Sequence, residues 1–268
     1  MSAFASVDPD SVVSRLRAAG CVFAEDEARL LLSESGTPAE LETMLRQRTA
    51  GVPLEYVLGW AEFDGLRIAV APGVFVPRRR TEFLVRQAVS TARAGAVVVD
   101  LCCGSGALGA AVAAALGQVE LHAADIDPVA VGCARRNVAA AGGRTYVGDL
   151  YQALPARLSN RVDILLANAP YVPSDALALM PPEARDHEPK TALDGGPDGL
   201  DVLRRVIAGA PAWLAPGGRL LVESNERQAP DLADVIARAG LVPRVVASDE
   251  LDTTVVIATR PGESGRPR

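Results

Sequence analysis

The chain of 268 residues is 49% hydrophobic and 22% charged, and its formal net charge is −6 at pH 7. This composition is typical of a folded globular protein and excludes a disordered chain, and the length is sufficient for two domains. The acidic balance argues against a general nucleic-acid-binding protein, in which basic residues are usually in excess.

The sequence also indicates where the protein is located in the cell and whether it binds a metal ion. No apolar run reaches the roughly 18 residues that a membrane-spanning helix needs. The first residues show no pattern of a secretory signal, so we expect a cytoplasmic protein without a membrane partner. The four cysteines fit no zinc-binding spacing and only two histidines are present. We therefore predict no metal site and interpret the cysteines as small buried residues.

The N-terminal part has the pattern of a small helical domain. Apolar residues recur at helical spacing between residues 8 and 50, as in amphipathic helices. Thr37-Pro38-Ala39-Glu40 is a capping box with proline at the first helical position. Residues 62–76 have the pattern of a β-hairpin around the turn signal Asp64-Gly65. We predict an N-terminal domain over residues 1–60 and a hairpin linker over residues 61–80.

From about residue 95, strands alternate with helices, a rhythm that predicts a parallel sheet with helices on both faces. The segments 242–247 and Thr253–Thr259 are joined too tightly for a helical crossover, so we expect an antiparallel pair. The predicted fold class is a doubly wound, Rossmann-like α/β domain over residues 81–260, with a disordered tail over 261–268. The other predicted elements are the strands Val97–Leu101, 121–125, 145–147, Val162–Ala167 and 219–223, and the helices Ala107–Leu116 and 128–141.

A glycine-rich segment follows the first strand of this series. Gly104, Gly106 and Gly109 satisfy the G-x-G-x-x-G pattern, in which glycines let the backbone turn sharply and approach a ligand closely. Asp125, at the end of the second strand, can accept hydrogen bonds from both hydroxyls of a ribose. NAD and S-adenosylmethionine (SAM) both contain an adenosine, so these residues alone do not separate the two cofactors.

Two further carboxylates favour SAM. Asp100 lies at the tip of the first strand, where it can pair with the ammonium group of a methionine moiety, which NAD lacks. Asp149 follows the third strand and can accept from the adenine amino group, while Leu150 can pack on the ring; the alternative role of Asp149 is a turn or helix cap. The predicted SAM-binding residues are Asp100, Cys102, Cys103, Gly104, Ser105, Gly106, Asp125, Asp149, Leu150 and Asn168.

The motif Asn168-Ala169-Pro170-Tyr171 follows Val162–Ala167, an apolar run that is typical of a buried parallel strand. Ligands of such sheets bind at the carboxyl ends of the strands. The Asn168 side-chain oxygen and the Ala169 carbonyl can accept both N–H groups of a planar amino group, on which the Tyr171 ring can stack. These four residues are the predicted catalytic residues. They suit methylation of the nitrogen of an amide or an exocyclic amine.

Together these motifs resemble the glutamine N5-methyltransferases of the HemK family, which modify the Gly-Gly-Gln loop of peptide chain release factors. The resemblance follows the family's order from about residue 50 to residue 225. It implies a SAM-dependent enzyme that acts on a release factor or a related protein, and an N-terminal domain that binds this protein. Besides the glycine loop, Asp125 and the catalytic motif, it depends on residues 51–59, Glu62-Phe63, 75–78, Thr81-Glu82, Glu188-Pro189, 192–196 and Gly199-Leu200.

The chain departs from the pattern of this family at several positions. Ala169 replaces the first proline of Asn-Pro-Pro-Tyr, and Cys102 replaces a glycine of the cofactor loop. Arg79-Arg80 replaces a proline and an acid, and Ser224-Asn225 replaces a pair that ends in glycine. A paralogue with a different protein substrate would show such differences.

Three other functions fit part of the sequence. An adenine N6-methyltransferase of DNA or RNA could use the same two acceptors, but it would normally need a base-flipping pocket and a basic channel. An NAD-linked oxidoreductase would leave residues 168–171 unexplained. A SAM-binding protein that docks on a partner without methylating it stays open because of Cys102 and Ala169. The sequence predicts no oligomeric state.

Overall fold

The structure is a computed structural model that describes residues 8–262. Its N-terminal helices are α1 (Pro9–Ala18), α2 (Ala24–Glu34), α3 (Pro38–Thr49) and α4 (Leu54–Leu58). Leu16, Leu31 and Leu45 are fully buried and form a small core of their own between these helices. The Thr37 hydroxyl caps α3 by accepting from Glu40 N at 3.2 Å, as the capping box predicts. The Glu40 carboxylate accepts from Gly36 N at 2.8 Å instead of from the cap residue itself.

A short hairpin joins this helical part to the sheet. Its strands are β1 (Trp60–Phe63) and β2 (Leu66–Ala69), which pair antiparallel around Asp64-Gly65. The hairpin therefore ends earlier than residue 76, the predicted limit, and the chain continues without a regular element to residue 78. The Asn137 side chain accepts from Ala69 N at 2.8 Å and donates to Ala69 O at 2.9 Å. These two bonds fix the hairpin to the α/β part of the chain.

The strands of the central sheet are β3 (Val97–Leu101), β4 (Glu120–Asp125), β5 (Arg144–Val147), β6 (Val162–Ala167), β7 (Leu214–Ser224), β8 (Val242–Ser248) and β9 (Thr253–Thr259). Their order is β5-β4-β3-β6-β7-β9-β8. The first five are parallel, and β9 pairs antiparallel with both β7 and β8, which confirms the predicted final pair. The chain extends from β3 through β4 to β5 and then returns to β6 on the other side of β3. The carboxyl ends of β3 and β6 therefore flank a topological switch point, where ligands of open α/β sheets bind.

The helices of this part are α5 (Glu82–Val89), α6 (Ala107–Leu116), α7 (Pro128–Val138), α8 (Pro182–His187), α9 (Asp201–Trp213) and α10 (Ala229–Arg238). Buried residues of α5, α6 and α7 pack with one face of the sheet, and those of α9 and α10 pack with the other. Helices on both faces bury both sides of the parallel strands, as predicted for a doubly wound sheet. The predicted domain boundaries stay a prediction, and most of the predicted disordered tail lies outside the described residues.

Within residues 8–262, none of the helices combines the length and the apolar character that a bilayer crossing requires.

Candidate active site

A cavity of about 570 Å³ lies at the carboxyl ends of β3, β4 and β6. Most of the residues predicted for cofactor binding and catalysis meet there, although they come from four different strand–helix connections. Asp100, Gly106, Ala169 and Tyr171 are close in the chain to these residues but lie outside the cavity lining. The predicted residues that line the cavity are Cys102, Cys103, Gly104, Ser105, Asp125, Asp149, Leu150, Asn168 and Pro170.

The glycine loop lines the cavity because α6 begins close to the tip of β3. Gly106 has a φ of +76°, and a Cβ at this position would lie 3.0 Å from Ala134 Cβ of α7. Only glycine combines this left-handed backbone with so close an approach of two helices. The loop is further fixed by Gly104 N, which donates to Asp125 Oδ2 at 2.9 Å.

The half-buried Asp125 carboxylate faces the cavity from the end of β4. Its Oδ2 accepts from Gly104 N, and its Oδ1 accepts from Asp127 N at 3.0 Å. Burial raises the pKa of Asp125, and the hydrogen bonds from backbone N–H groups lower it. A carboxylate oxygen has more than one lone pair, so both oxygens can still accept a ribose hydroxyl.

The Asp100 carboxylate is fully buried beneath the glycine loop. Its Oδ2 accepts from Gly109 N at 2.9 Å, whereas its Oδ1 has no hydrogen-bond partner among the described residues. Burial, opposed by the hydrogen bond from Gly109 N and assisted by the negative charge of Asp125, raises the pKa of Asp100 to about 8. An unpartnered buried oxygen fits a site that accepts a cationic ligand group. The predicted contact of Asp100 with the methionine ammonium stays a prediction, because Asp100 does not line the cavity.

Asp149 and Arg205 form an ion pair at another part of the cavity lining. Arg205 Nη2 of α9 donates to Asp149 Oδ2 at 2.6 Å, and both residues line the cavity together with Leu150. No sequence motif indicates Arg205, since nothing in the local pattern of α9 points to a partner 56 positions earlier. The free oxygen of Asp149 can accept from an adenine amino group, so the ion pair is compatible with the role predicted for Asp149.

The two predicted acceptors of the catalytic motif have no hydrogen-bond partner within residues 8–262. Asn168 is half-buried and lines the cavity, and Ala169 is buried beneath the lining. We find no hydrogen bond to the Asn168 side chain or to the Ala169 carbonyl among the described contacts. A buried acceptor such as the Ala169 carbonyl carries a desolvation cost when it has no partner. A ligand that supplies N–H donors would remove that cost.

Gln228 holds the chain that follows the motif. This buried side chain donates from Nε2 to Tyr171 O at 3.1 Å and to Asp198 O at 2.9 Å. Asn225 Nδ2 in turn donates to Gln228 Oε1 at 2.6 Å and so orients its amide group. Gly199 is required at this crossing, because a Cβ there would lie 2.3 Å from Tyr171 O.

The Tyr171 side chain is turned toward the end of β7. Its hydroxyl donates to Glu223 Oε1 at 3.0 Å and accepts from Arg80 Nη2 at 2.9 Å. The ring packs against the buried core between the sheet and α9. The structure therefore does not bring Tyr171 to the cavity, and the predicted stacking on an amino group stays a prediction. The ring and the hydroxyl instead anchor the loop that carries Asn168.

The buried Glu188 connects two segments of the cavity wall. Its carboxylate accepts from Val76 N at 3.2 Å and from Arg78 Nη2 at 2.6 Å. Because Phe75 and Pro77 line the cavity on one side of this contact and Pro189 to Ala192 line it on the other, Glu188 joins two separate wall segments. Its side chain had no assigned role in the sequence analysis.

Comparison with known proteins decides the family. The model of the "Methyltransferase small domain" family matches residues 65–180. The release factor glutamine methyltransferase of Geobacter sulfurreducens is 36% identical over 221 residues, which are 82% of this chain and 77% of that protein. The one from Mycolicibacterium smegmatis is 34% identical over 248 residues, 91% of this chain and 83% of that protein. The chain belongs to the release factor glutamine methyltransferase family. This confirms the resemblance given by the motifs.

Among solved structures, the 16S rRNA N2 G1207 methyltransferase of T. thermophilus in complex with AdoMet and guanosine has a similar fold. Its TM-score is 0.54 at 20% identity, with 75% of this chain and 49% of that chain covered. The match supports the Rossmann-like fold. As a member of its family, the chain is a SAM-dependent methyltransferase, which confirms the predicted reaction class and cofactor.

The residues present fit SAM. The half-buried Asp125 carboxylate lines the cavity and can accept from hydroxyl groups, and the buried Asp100 has an unpartnered Oδ1 that suits a cationic group. Which of these residues contact the cofactor stays a proposal.

Three departures from the family pattern have visible structural consequences. Cys102 has a φ of +54°, a left-handed backbone that glycine adopts without strain. Arg80 donates from Nε to Glu223 Oε1 at 3.2 Å and from Nη2 to the Tyr171 hydroxyl, so it helps to hold the Tyr171 side chain. Asn225 orients Gln228, as described above. Two of the three substituted residues therefore support the loop that carries Asn168, and the third lies in the cofactor loop.

Proposed function

We propose that this chain transfers the methyl group of SAM to the side-chain nitrogen of the glutamine in the Gly-Gly-Gln loop of a peptide chain release factor. The observation that carries the proposal is the pair of unpartnered acceptors, the Asn168 side chain and the Ala169 carbonyl, beside a cavity that fits SAM. The names of the relatives support the acceptor, since each is a release factor glutamine methyltransferase. A cytoplasmic location, where such a substrate would be met, remains part of this proposal.

The residues of the motif act by position and by charge. SAM, when bound, supplies a methyl group on a positively charged sulfur. The amide nitrogen of glutamine is a weak nucleophile, because its lone pair is delocalised into the carbonyl. Asn168 and Ala169 accept its two N–H groups and so orient the nitrogen, which is worth several kcal/mol of the barrier.

The same two acceptors favour the reaction electrostatically. Positive charge grows on the nitrogen as it attacks, and oxygen lone pairs aimed at its N–H groups stabilise that charge. After the methyl group is transferred, the nitrogen loses one of its N–H protons to solvent water. The motif contains no charged side chain, and no general base within it is required. Pro170 keeps Ala169 out of the helical region, which restrains the direction of its carbonyl.

The N-terminal helices are proposed to contribute to binding of the release factor. Arg48 of α3 forms a buried ion pair with Glu27 of α2 at 2.6 Å and a second pair with Glu183 of α8 at 2.6 Å. The helical part is thus joined to the segment between the catalytic motif and α9. A protein bound to α2 and α3 would therefore be presented close to the cavity.

The proposal is tested by transfer of a labelled methyl group. The full chain is incubated with methyl-labelled SAM and an intact release factor, and mass spectrometry locates the label. We expect a single methyl group on the glutamine of Gly-Gly-Gln and none on a release factor in which that glutamine is alanine. Label on adenine in DNA or RNA would support the adenine N6-methyltransferase instead. Tight SAM binding with no labelled acceptor would support a non-catalytic docking protein.

A further inference from the structure

Lys190 is the only lysine in the sequence, and it lines the candidate active site. It lies in the 3-10 helix Lys190–Ala192, directly after the buried Glu188 and Pro189. All other cationic side chains, apart from histidine, are arginines. The chain therefore presents its one side-chain ammonium group at the cavity where a charged cofactor binds.

The neighbouring arginines already have carboxylate partners. Arg78 pairs with Glu188 at 2.6 Å, Arg80 with Glu223 at 3.2 Å and Arg205 with Asp149 at 2.6 Å. Lys190 and Arg205 are the basic residues of the lining. Among the described residues, no carboxylate lies within ion-pair distance of the Lys190 ammonium. Lys190 is thus the cation of the described lining that remains available for a ligand.

The position of Lys190 indicates which part of SAM it can reach. Glu188, two residues earlier, contacts Val76 N and Arg78. Phe75, at the start of that segment, lies against the glycine loop, since a Cβ on Gly104 would be 3.9 Å from Phe75 Cβ. Lys190 therefore belongs to the wall segment that Glu188 joins to the Phe75 segment beside the glycine loop. Arg205 belongs to the part of the lining formed by Asp149 and Leu150, where adenine is predicted to bind.

SAM carries two opposite charges on its methionine moiety that need partners in the site. Its methionine moiety carries an ammonium group and a carboxylate, and Asp100 is the predicted partner of the ammonium group. The carboxylate needs a donor or a cation when it leaves water. We propose that Lys190 binds the carboxylate of the methionine moiety of SAM. This inference rests on the cofactor of the family and not on the proposed acceptor.

Chemical labelling tests the contact without any activity measurement. Because the sequence has one lysine, limited acetylation with an amine-reactive ester modifies only Lys190 and the amino terminus, and mass spectrometry resolves the two. S-adenosylhomocysteine should slow acetylation of Lys190 by about tenfold while leaving the amino terminus unchanged, as expected for one charge-assisted hydrogen bond. 5′-Methylthioadenosine, which has no carboxylate, should leave both rates unchanged.

Binding calorimetry provides the matched comparison. The wild-type chain should bind SAM about tenfold more tightly than decarboxylated SAM, which is the size of one charge-assisted hydrogen bond. Lys190→Met should lose this preference and Lys190→Arg should keep it. Arg79→Met is the control, since Arg79 is exposed, close in the chain to the same wall and absent from the cavity lining. It should bind both cofactors as the wild type does.

Two results would overturn the inference. One is equal affinity of the wild type for SAM and decarboxylated SAM. The other is protection of Lys190 by the release factor but not by S-adenosylhomocysteine, which would assign the ammonium group to the acceptor protein. Neither result affects methyl transfer to glutamine, so a failure here is distinguishable from a failure of the proposed function.

Discussion

The hydroxyl of Tyr171 donates a hydrogen bond of 3.0 Å to Glu223 Oε1, which joins the loop of the catalytic motif to the end of β7. Glu223 is buried, and its other oxygen has no partner among the described residues. The carboxylate therefore depends on Tyr171 and Arg80 for its donors. The tyrosine of the motif acts, in this arrangement, as a support for Asn168.

Tyr171→Phe tests that support. Loss of the hydroxyl removes one donor from a buried carboxylate, and we expect the free energy of unfolding to fall by about 1–3 kcal/mol. Methyl transfer should slow because Asn168 is less well positioned, whereas SAM affinity should be unchanged. Steady-state kinetics and calorimetry on the same preparation measure both. A normal rate would show that the anchor is dispensable. A loss of SAM affinity would place the Tyr171 hydroxyl in the cofactor site.

Cys102→Gly should stabilise the chain. Cys102 has a left-handed backbone with a φ of +54°, which costs a non-glycine residue about 1–2 kcal/mol. The gain is partly offset by the larger unfolded-state entropy of glycine, about 0.5–1 kcal/mol. We expect a small increase in the urea midpoint of unfolding. Cys103→Gly is the matched control, because Cys103 is buried and has no positive φ. It should lower the midpoint, and an equal effect of the two substitutions would refute the strain argument.

The buried Asp100 makes the stability of the cofactor-free chain depend on pH. Burial raises the folded-state pKa to about 8, above the value of ~4 in an unfolded chain. Between these values the folded state binds one proton more, so the free energy of unfolding falls as the pH rises from ~4 towards 8. Urea unfolding at several pH values should show this slope, and Asp100→Asn should reduce it. An unchanged slope in the variant would exclude Asp100 as its source.

Arg205→Met tests the adenine part of the cavity. Arg205 holds the Asp149 carboxylate at 2.6 Å, and without this partner Asp149 would lose its fixed orientation. The pair is largely exposed, so we expect S-adenosylhomocysteine to bind only a few-fold less tightly, about the effect of one exposed ion pair. Arg185→Met is the control, since Arg185 forms a comparably exposed pair with Asp186 at 2.8 Å and neither residue lies in the cavity lining. Equal effects of the two variants in calorimetry would contradict a role for the Asp149 pair.

The sequence predicted the sheet well because its strands have strong local signals. The bounds of Val97–Leu101, Val162–Ala167 and Thr253–Thr259 agree with the structure, since each is an apolar run. The predicted hairpin extends to residue 76, but its second strand ends at Ala69, so the prediction was wrong at the C-terminal end. Val70, Val74 and Val76 are buried against the rest of the chain without forming strands, and burial by tertiary contacts has the same apolar signature as a strand.

The sequence predicted only those residues of the candidate site that belong to short motifs. Asp125 and Asn168 stand at strand ends and were found in this way. Gln228 and Tyr171 are 57 positions apart, and Glu188 contacts Arg78 across 110 positions. Such contacts depend on the strand order, which no local pattern specifies. A buried glutamine after a strand gives no signal of its own.

The central claim is that Asn168 and Ala169 hold the nitrogen that is methylated. It is tested most directly by single-turnover methyl transfer to a release factor at saturating SAM, comparing Asn168→Ala with Asp125→Ala. We expect Asn168→Ala to slow transfer by about 10²–10³-fold, the typical effect of removing one transition-state hydrogen bond, with the SAM dissociation constant unchanged. Asp125→Ala should instead weaken SAM binding first. Normal transfer by Asn168→Ala would contradict the account.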